Sequence, residues 1–123
     1  MKTNEYLNSC RDTLKAEQEK SLLETNNWAH VNKDDVHKKW NVLYVKISKE
    51  LDILIAQDKI AQDFIKEHYE LVCSFYEPSK KAYIGMSLFY KEDENMKLFH
   101  NSYHIKMLDF LEEAIYIYAQ KNL

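Results

Sequence analysis

The sequence predicts an all-α fold, a single compact domain of about five helices. Three observations carry that expectation. The 123 residues include one glycine, Gly85, and one proline, Pro78. A sheet protein needs frequent turns, and turns draw on Gly, Pro, Asn and Asp. Apolar residues recur at steps of three and four along most of the chain, the period of helices with one buried face. Hydrophobic residues make up 46% and charged residues 30%, a balance that suits a folded core and argues against disorder. A chain of this mass exposes roughly 7,000 Å² when folded, against about 21,000 Å² extended. That is enough for one core and too little for two.

The elements follow in order. Leu7, Cys10, Leu14 and Leu22 give residues 4–24 a thin apolar stripe, so this helix should be marginal alone. Thr25-Asn26-Asn27 then breaks it. Asn32 and Asp35 read as a capping box, the Asn accepting from an unpaired amide and the Asp reaching back. Behind them Val36, Trp40, Leu43, Ile47, Leu51 and Leu54 mark one face of a second helix of about 25 residues. Gln57-Asp58-Lys59 is a short connection. Ile60, Phe64, His68, Leu71, Val72 and Phe75 line a third helix, which must stop at Glu77 because a residue before proline leaves the helical region.

Ser79 can cap a fourth helix, with Tyr83, Met86, Phe89 and Tyr90 turned inward. Lys91 to Asn95 reads as a charged connection. The last helix runs from about Tyr103 to Gln120 on Met107, Leu108, Leu111, Ala114, Ile115 and Tyr118. Lys121 suits the negative end of its dipole. The breaks therefore fall near 25–32, 57–59, 77–79 and 92–102. The expected core is Trp40, Leu43, Ile47, Leu51, Phe64, Leu71, Leu108, Leu111 and Ile115.

Charge and cysteine usage limit the partners. Seventeen basic against twenty acidic residues leave a net charge of −3, and Arg11 is the lone arginine. Nucleic-acid binders cluster Lys and Arg on one face, so direct nucleic-acid contact is not expected. The longest uncharged run, Ala82 to Tyr90, is far shorter than the roughly 18 residues of a membrane span. The first twenty residues contain no apolar h-region. Cys10 and Cys73 are then expected as reduced thiols in a cytoplasmic protein.

Few residues suggest chemistry. His100 and His104, four apart, would point the same way on one helix, as a metal pair requires, but no spacing nominates further ligands. The plainer reading is two surface histidines at a helix start. His68 reads as a satisfied core histidine. A haem carrier would use His68 or His104 as its axial ligand, without support from a Cys-x-x-Cys-His motif. Glu92-Asp93-Glu94 and Glu112-Glu113 read as solvated faces, and Cys73 as a small buried hydrophobe. One glycine cannot build a phosphate loop, and no Ser/His/Asp order is present. Neither an enzyme nor a resident cofactor is expected.

The aromatic residues are distributed unevenly. Of sixteen, twelve fall between Phe64 and Tyr118, and seven of those are tyrosines. A buried tyrosine needs a partner for its hydroxyl. So many in a small domain fit two readings: rings lining a wet cleft, or a bulky core with tyrosines at its rim.

From Trp28 to Ala119 the sequence resembles the TipA-type antibiotic-recognition domain, the effector-binding half of some MerR-type multidrug-sensing activators. Three stretches carry the resemblance. They are the tryptophan-bearing DDVHKKWNVLYVKISKELDIL, then HYELVCSFYEPSKKAYIGMSLFY with its His, Phe-Tyr, Ser, Tyr-x-Gly and closing Tyr, and finally DENMKLFHNSYHIKMLDFLEEAIYIYA. The resemblance implies a compact globin-like helical fold with a cleft for large apolar peptide antibiotics or other drugs. It also implies an N-terminal segment that orders over the ligand. Members that capture thiopeptides covalently carry a cysteine after the Phe-Tyr pair; Pro78 stands at that position here, and the nearest thiol is Cys73. The Gly-rich loop between the family's two long helices is shortened to Gln57-Asp58-Lys59.

The expected function is binding of an apolar or aromatic small molecule or peptide antibiotic, for sensing or sequestration, without a DNA-binding part. Residues 1–27 would form an amphipathic arm or lid and residues 28–123 the ligand-binding domain. The expected binding residues are Phe64, His68, Phe75, Tyr76, Tyr83, Tyr90, Phe99 and Tyr103. The alternative is a protein-interaction module whose aromatic groove receives a partner's amphipathic helix. A metal or haem carrier comes third.

Overall fold

A computed structural model describes residues 2–123; Met1, the first residue of the expected arm, lies outside them. Six helices and no strand occur among the described residues: α1 Asn4–Glu24, α2 Lys33–Glu50, α3 Lys59–Val72, α4 Lys80–Glu92, α5 Glu94–Asn101 and α6 Met107–Asn122. No helix is long and apolar enough to cross a membrane. The exposed surface, 7406 Å², agrees with the area expected for one packed domain.

α4 is the axis of the fold. Every residue from Ala82 to Leu88 is buried, and so is Tyr90. A helix buried nearly all round has to be surrounded, and α1, α5 and α6 pack on α4, while α2 pairs with α3 and α3 with α6. α1 lies along α4 with Cys10 and Leu14 sealed against it. Gly85 makes this approach possible, because a Cβ there would collide with the Cys10 carbonyl oxygen and press on Leu14. Polar ties run along the same seam: Arg11 donates to both Glu92 carboxylate oxygens, and the Ser79 amide donates to Glu17 at 3.1 Å.

The caps explain where the helices start. Asn32 accepts from the Asp35 amide at 3.1 Å, but Asp35 turns outward to Lys39 at 3.0 Å, so only half of the expected capping box forms. Ser79 caps α4 by accepting from Ala82. Between α1 and α2, Asn26, Asn27 and Trp28 take φ of 50°, 60° and 61°. That region is tolerable for Asn and strained for a bulky ring. The Trp28 amide donates to Thr25 Oγ1 and its indole N–H to Ser21 Oγ, both at 2.9 Å.

Four expectations are corrected. The second helix stops at Glu50 after 18 residues, because about 37 Å of helix would overshoot the 14-residue α3 beside it. Residues 51–58 turn, folding Leu51 and Ala56 inward and leaving Ile53 80% exposed. The third helix ends at Val72, not Glu77. Its buried face is Ala61, Ile65, His68 and Val72, since α3 is wedged between α2 and α6; Ile60 faces outward.

Residues 94–101 form α5 inside the expected break. Asp93 ends α4 and caps α5, accepting from the Met96 amide at 3.0 Å. The last helix begins at Met107, not Tyr103. Six of the nine expected core residues are fully buried, while Trp40, Phe64 and Leu71 pack half-buried against them. Phe89 is exposed.

Candidate functional site: an aromatic cleft between α2, α4 and α5

Three helices bring aromatic rings to one place. α2 presents His37, Trp40 and Tyr44 at positions i, i+3 and i+7, one face of a helix. α4 presents Tyr83 and Tyr90, two turns apart. α5 presents Met96, Phe99 and His100, and Tyr103 follows in the next turn. Tyr44 sits at the centre with no exposed surface, its ring 5.1 Å from His100 and 5.2 Å from Tyr103. Tyr90 stacks on His100 at 4.4 Å, and Phe99 stands edge-on to Tyr103 at 5.4 Å.

Behind these rings runs a buried hydrogen-bond chain. Tyr83 Oη lies 2.7 Å from His68 Nδ1, and His68 Nε2 lies 3.5 Å from Tyr44 Oη. Tyr44 Oη is 2.7 Å from His100 Nε2, and His100 Nδ1 is 2.6 Å from the Met96 carbonyl. The direction follows from the last link. A carbonyl only accepts, so His100 carries its proton on Nδ1, and Nε2 accepts from the Tyr44 hydroxyl. His68 then donates from Nε2 to Tyr44 and accepts from Tyr83.

Both histidines are neutral in this arrangement. Burial lowers the pKa of His68 to about 3, with His100 adding to the shift. Burial also holds His100 below its ordinary value. The tyrosine-rich composition is thus partly a polar core in which hydroxyls and imidazole nitrogens satisfy one another.

In front of the chain lies a cleft of about 390 Å³ walled by His37, Trp40, Tyr44 and Tyr90 on one side and Met96, Phe99, His100 and Tyr103 on the other. No carboxylate, lysine or arginine lines it. Its size falls within the range of small-molecule sites, roughly 300–1,000 Å³. Tyr103 is tied across the mouth, its hydroxyl donating to Asn41 Oδ1 at 2.7 Å.

The expected binding residues separate into four groups. Tyr90, Phe99 and Tyr103 line the cleft. His68 and Tyr83, both fully buried, stand behind its wall in the hydrogen-bond chain. Phe75 and Tyr76 lie elsewhere, because α3 ends before them. Phe75 packs edge-on against Trp28 at 5.1 Å, and Phe75 and Tyr76 line a second concavity of about 570 Å³ between α1 and residues 75–79. Its walls are polar, with Glu17, Glu24 and Glu77 among them, and the buried Tyr76 hydroxyl has no partner. Phe64 packs against the core and lines neither.

Sequence reasoning did not single out His37, Tyr44, Met96 or His100 for binding, and it assigned Trp40 to the core. The i, i+3, i+7 spacing of the α2 residues was the available signal. His100, expected at the surface, is 1% exposed. His104 lies past the end of α5, 3.4 Å from Asp52, so the two do not form a pair on one helix.

The family model of the TipAS antibiotic-recognition domain matches residues 11–118. The chain belongs to the TipAS family. A TipAS domain recognises ligands, antibiotics among them, and the match here spans from Arg11 in α1 to Tyr118 in α6, taking in every helix of the fold. No curated protein and no solved structure matches this TipAS chain. Four concavities of the domain are large enough for a small ligand. The two lined by expected binding residues differ in chemistry: the α2–α4–α5 cleft is aromatic and without carboxylate, lysine or arginine, and the one between α1 and residues 75–79 carries three glutamates and Lys20.

Proposed function

We propose that this TipAS domain binds apolar aromatic compounds, or an aromatic group of a peptide antibiotic, in the cleft between α2, α4 and α5. The observation that carries the reading is the uncharged wall of the cleft, formed largely by Trp40, Tyr44, Tyr90, Phe99 and Tyr103. Aromatic faces attract a flat apolar ligand by burial and by edge or offset stacking. The hydrogen-bond chain behind them holds Tyr44 and His100 in place, so little ordering opposes binding at that wall. A volume of about 390 Å³ suits one fused ring system or one substituent of a larger antibiotic.

α1 belongs to the second concavity. In this reading residues 1–27 form an arm whose helix walls that concavity, and residues 28–123 form the body that carries the aromatic cleft. The arm adjoins the left-handed turn at Asn26, Asn27 and Trp28. A thermal-shift screen against aromatic antibiotics and dyes tests the proposal. Binding raises the melting temperature by mass action, and Phe99→Ala should reduce the shifts relative to its own ligand-free melting temperature. A panel without a single shift would contradict it.

A further inference from the structure

The polar groups around the aromatic cleft are nearly all committed. The Tyr44 hydroxyl donates to His100, the His100 Nδ1–H donates to the Met96 carbonyl, and the Tyr103 hydroxyl donates to Asn41. The Trp40 ring stands edge-on to Tyr44 at 6.4 Å. His37 stands exposed at the rim. Among the lining hydroxyls Tyr90 is the exception. It is 7% exposed, and its ring is pinned on His100 at 4.4 Å. Its hydroxyl makes no hydrogen bond, in a residue that lines the cleft.

A nearly buried hydroxyl without a partner is costly. It is also the one lining hydroxyl whose proton is not already directed to the protein. Resting on the reading of the cleft as the ligand site, we infer that Tyr90 sets its selectivity: the cleft favours flat aromatic compounds whose edge carries a hydrogen-bond acceptor, such as a ring nitrogen or carbonyl, which receives the Tyr90 proton. A site built to bond a polar edge discriminates against the analogue that lacks it more sharply than an apolar wall discriminates by size.

The test uses two probes of nearly one shape, quinoline and naphthalene, titrated into the full chain and into Tyr90→Phe. Binding is followed at the Trp40 indole N–H resonance, with the Trp28 indole as the internal control. Wild type should bind quinoline about fivefold more tightly than naphthalene, the yield of one hydrogen bond in a dry site. In Tyr90→Phe that preference should vanish, with naphthalene affinity unchanged. The variant should melt no lower than the wild type, since the hydroxyl it loses bonds nothing in the protein. Equal affinities in wild type, or a preference that survives Tyr90→Phe, would overturn the role of Tyr90 and leave the cleft reading intact. If neither probe moved the Trp40 resonance, the cleft reading itself would fall, and the inference with it.

Discussion

The two sides of α4 are packed on opposite principles. Toward α1 the contact is small and tight: Gly85 lets the Cys10 backbone come within touching distance, and Leu14 closes the gap. Toward α3 and α5 the contact is made of large rings, Tyr83 and Tyr90 against His68 and His100, with Tyr44 of α2 behind them. Small residues let the two backbones close tightly at Gly85. Rings that carry hydroxyls and imidazole nitrogens meet only where their hydrogen bonds allow, and flat shapes meeting at angles leave space. Each side leaves a concavity of about 390 Å³, the α1 side one edged by Arg11, Lys15, Glu19 and Glu92, the other walled by rings. One helix thus anchors the fold on one face and shapes its candidate site on the other.

Acid should separate the two sides most strongly. His68 has an ordinary pKa of 6.5 when unfolded and about 3 in the folded chain. Above pH 6.5 both states are neutral there and stability is complete. Below it the unfolded chain takes up the proton first. Stability then falls by about 1.4 kcal/mol per pH unit on account of this residue down to about pH 3, and His100 shifts in the same direction. Urea midpoints measured from pH 7 to pH 4 should drop steadily; a flat profile would remove the neutral histidine chain from the account.

The tight side breaks by bulk. Gly85→Leu should cost about 3 kcal/mol, since no neighbouring backbone can yield without moving α1. Amide exchange in Asn4–Glu24 should speed up more than in α2 or α5, and a uniform change would show that the seam is not local. On the aromatic side Tyr44→Phe keeps the ring and leaves His100 Nε2 without its donor, so about 1–2 kcal/mol should be lost. Tyr90→Phe should change stability by less than about 0.5 kcal/mol. Reversal of the order between the two tyrosines would mean that Tyr90, not Tyr44, completes the buried chain.

How much of this was readable in the residues differs between the sides. The helical class, the Ser79 cap and most buried positions on α2 and α6 follow from local spacing, because packing repeats every three or four residues. The end of α3 did not follow. Pro78 forbids helix at Glu77 but does not require it up to there, and the Tyr69 hydroxyl, donating to the Pro78 carbonyl at 2.9 Å, pins an extended segment instead. That early end carries Phe75 and Tyr76 away from the aromatic cleft. The burial of His100 depends on Tyr44, 56 positions earlier, a pairing no local pattern announces. Tyr44 itself lay outside the aromatic-rich half of the chain and drew no notice.

Which concavity holds the ligand is the question on which the account turns. Phe99 lines the aromatic cleft and Phe75 the concavity beside α1. Each phenyl is partly exposed, so truncation of either leaves the core untouched. The decisive measurement is the affinity of one aromatic ligand, taken from the thermal-shift screen, for wild type, Phe99→Ala and Phe75→Ala by isothermal titration calorimetry. Loss of a stacking ring should weaken binding to Phe99→Ala about tenfold, while Phe75→Ala binds as wild type does. Unchanged affinity in Phe99→Ala with a tenfold loss in Phe75→Ala would move the site to the α1 side and contradict the account.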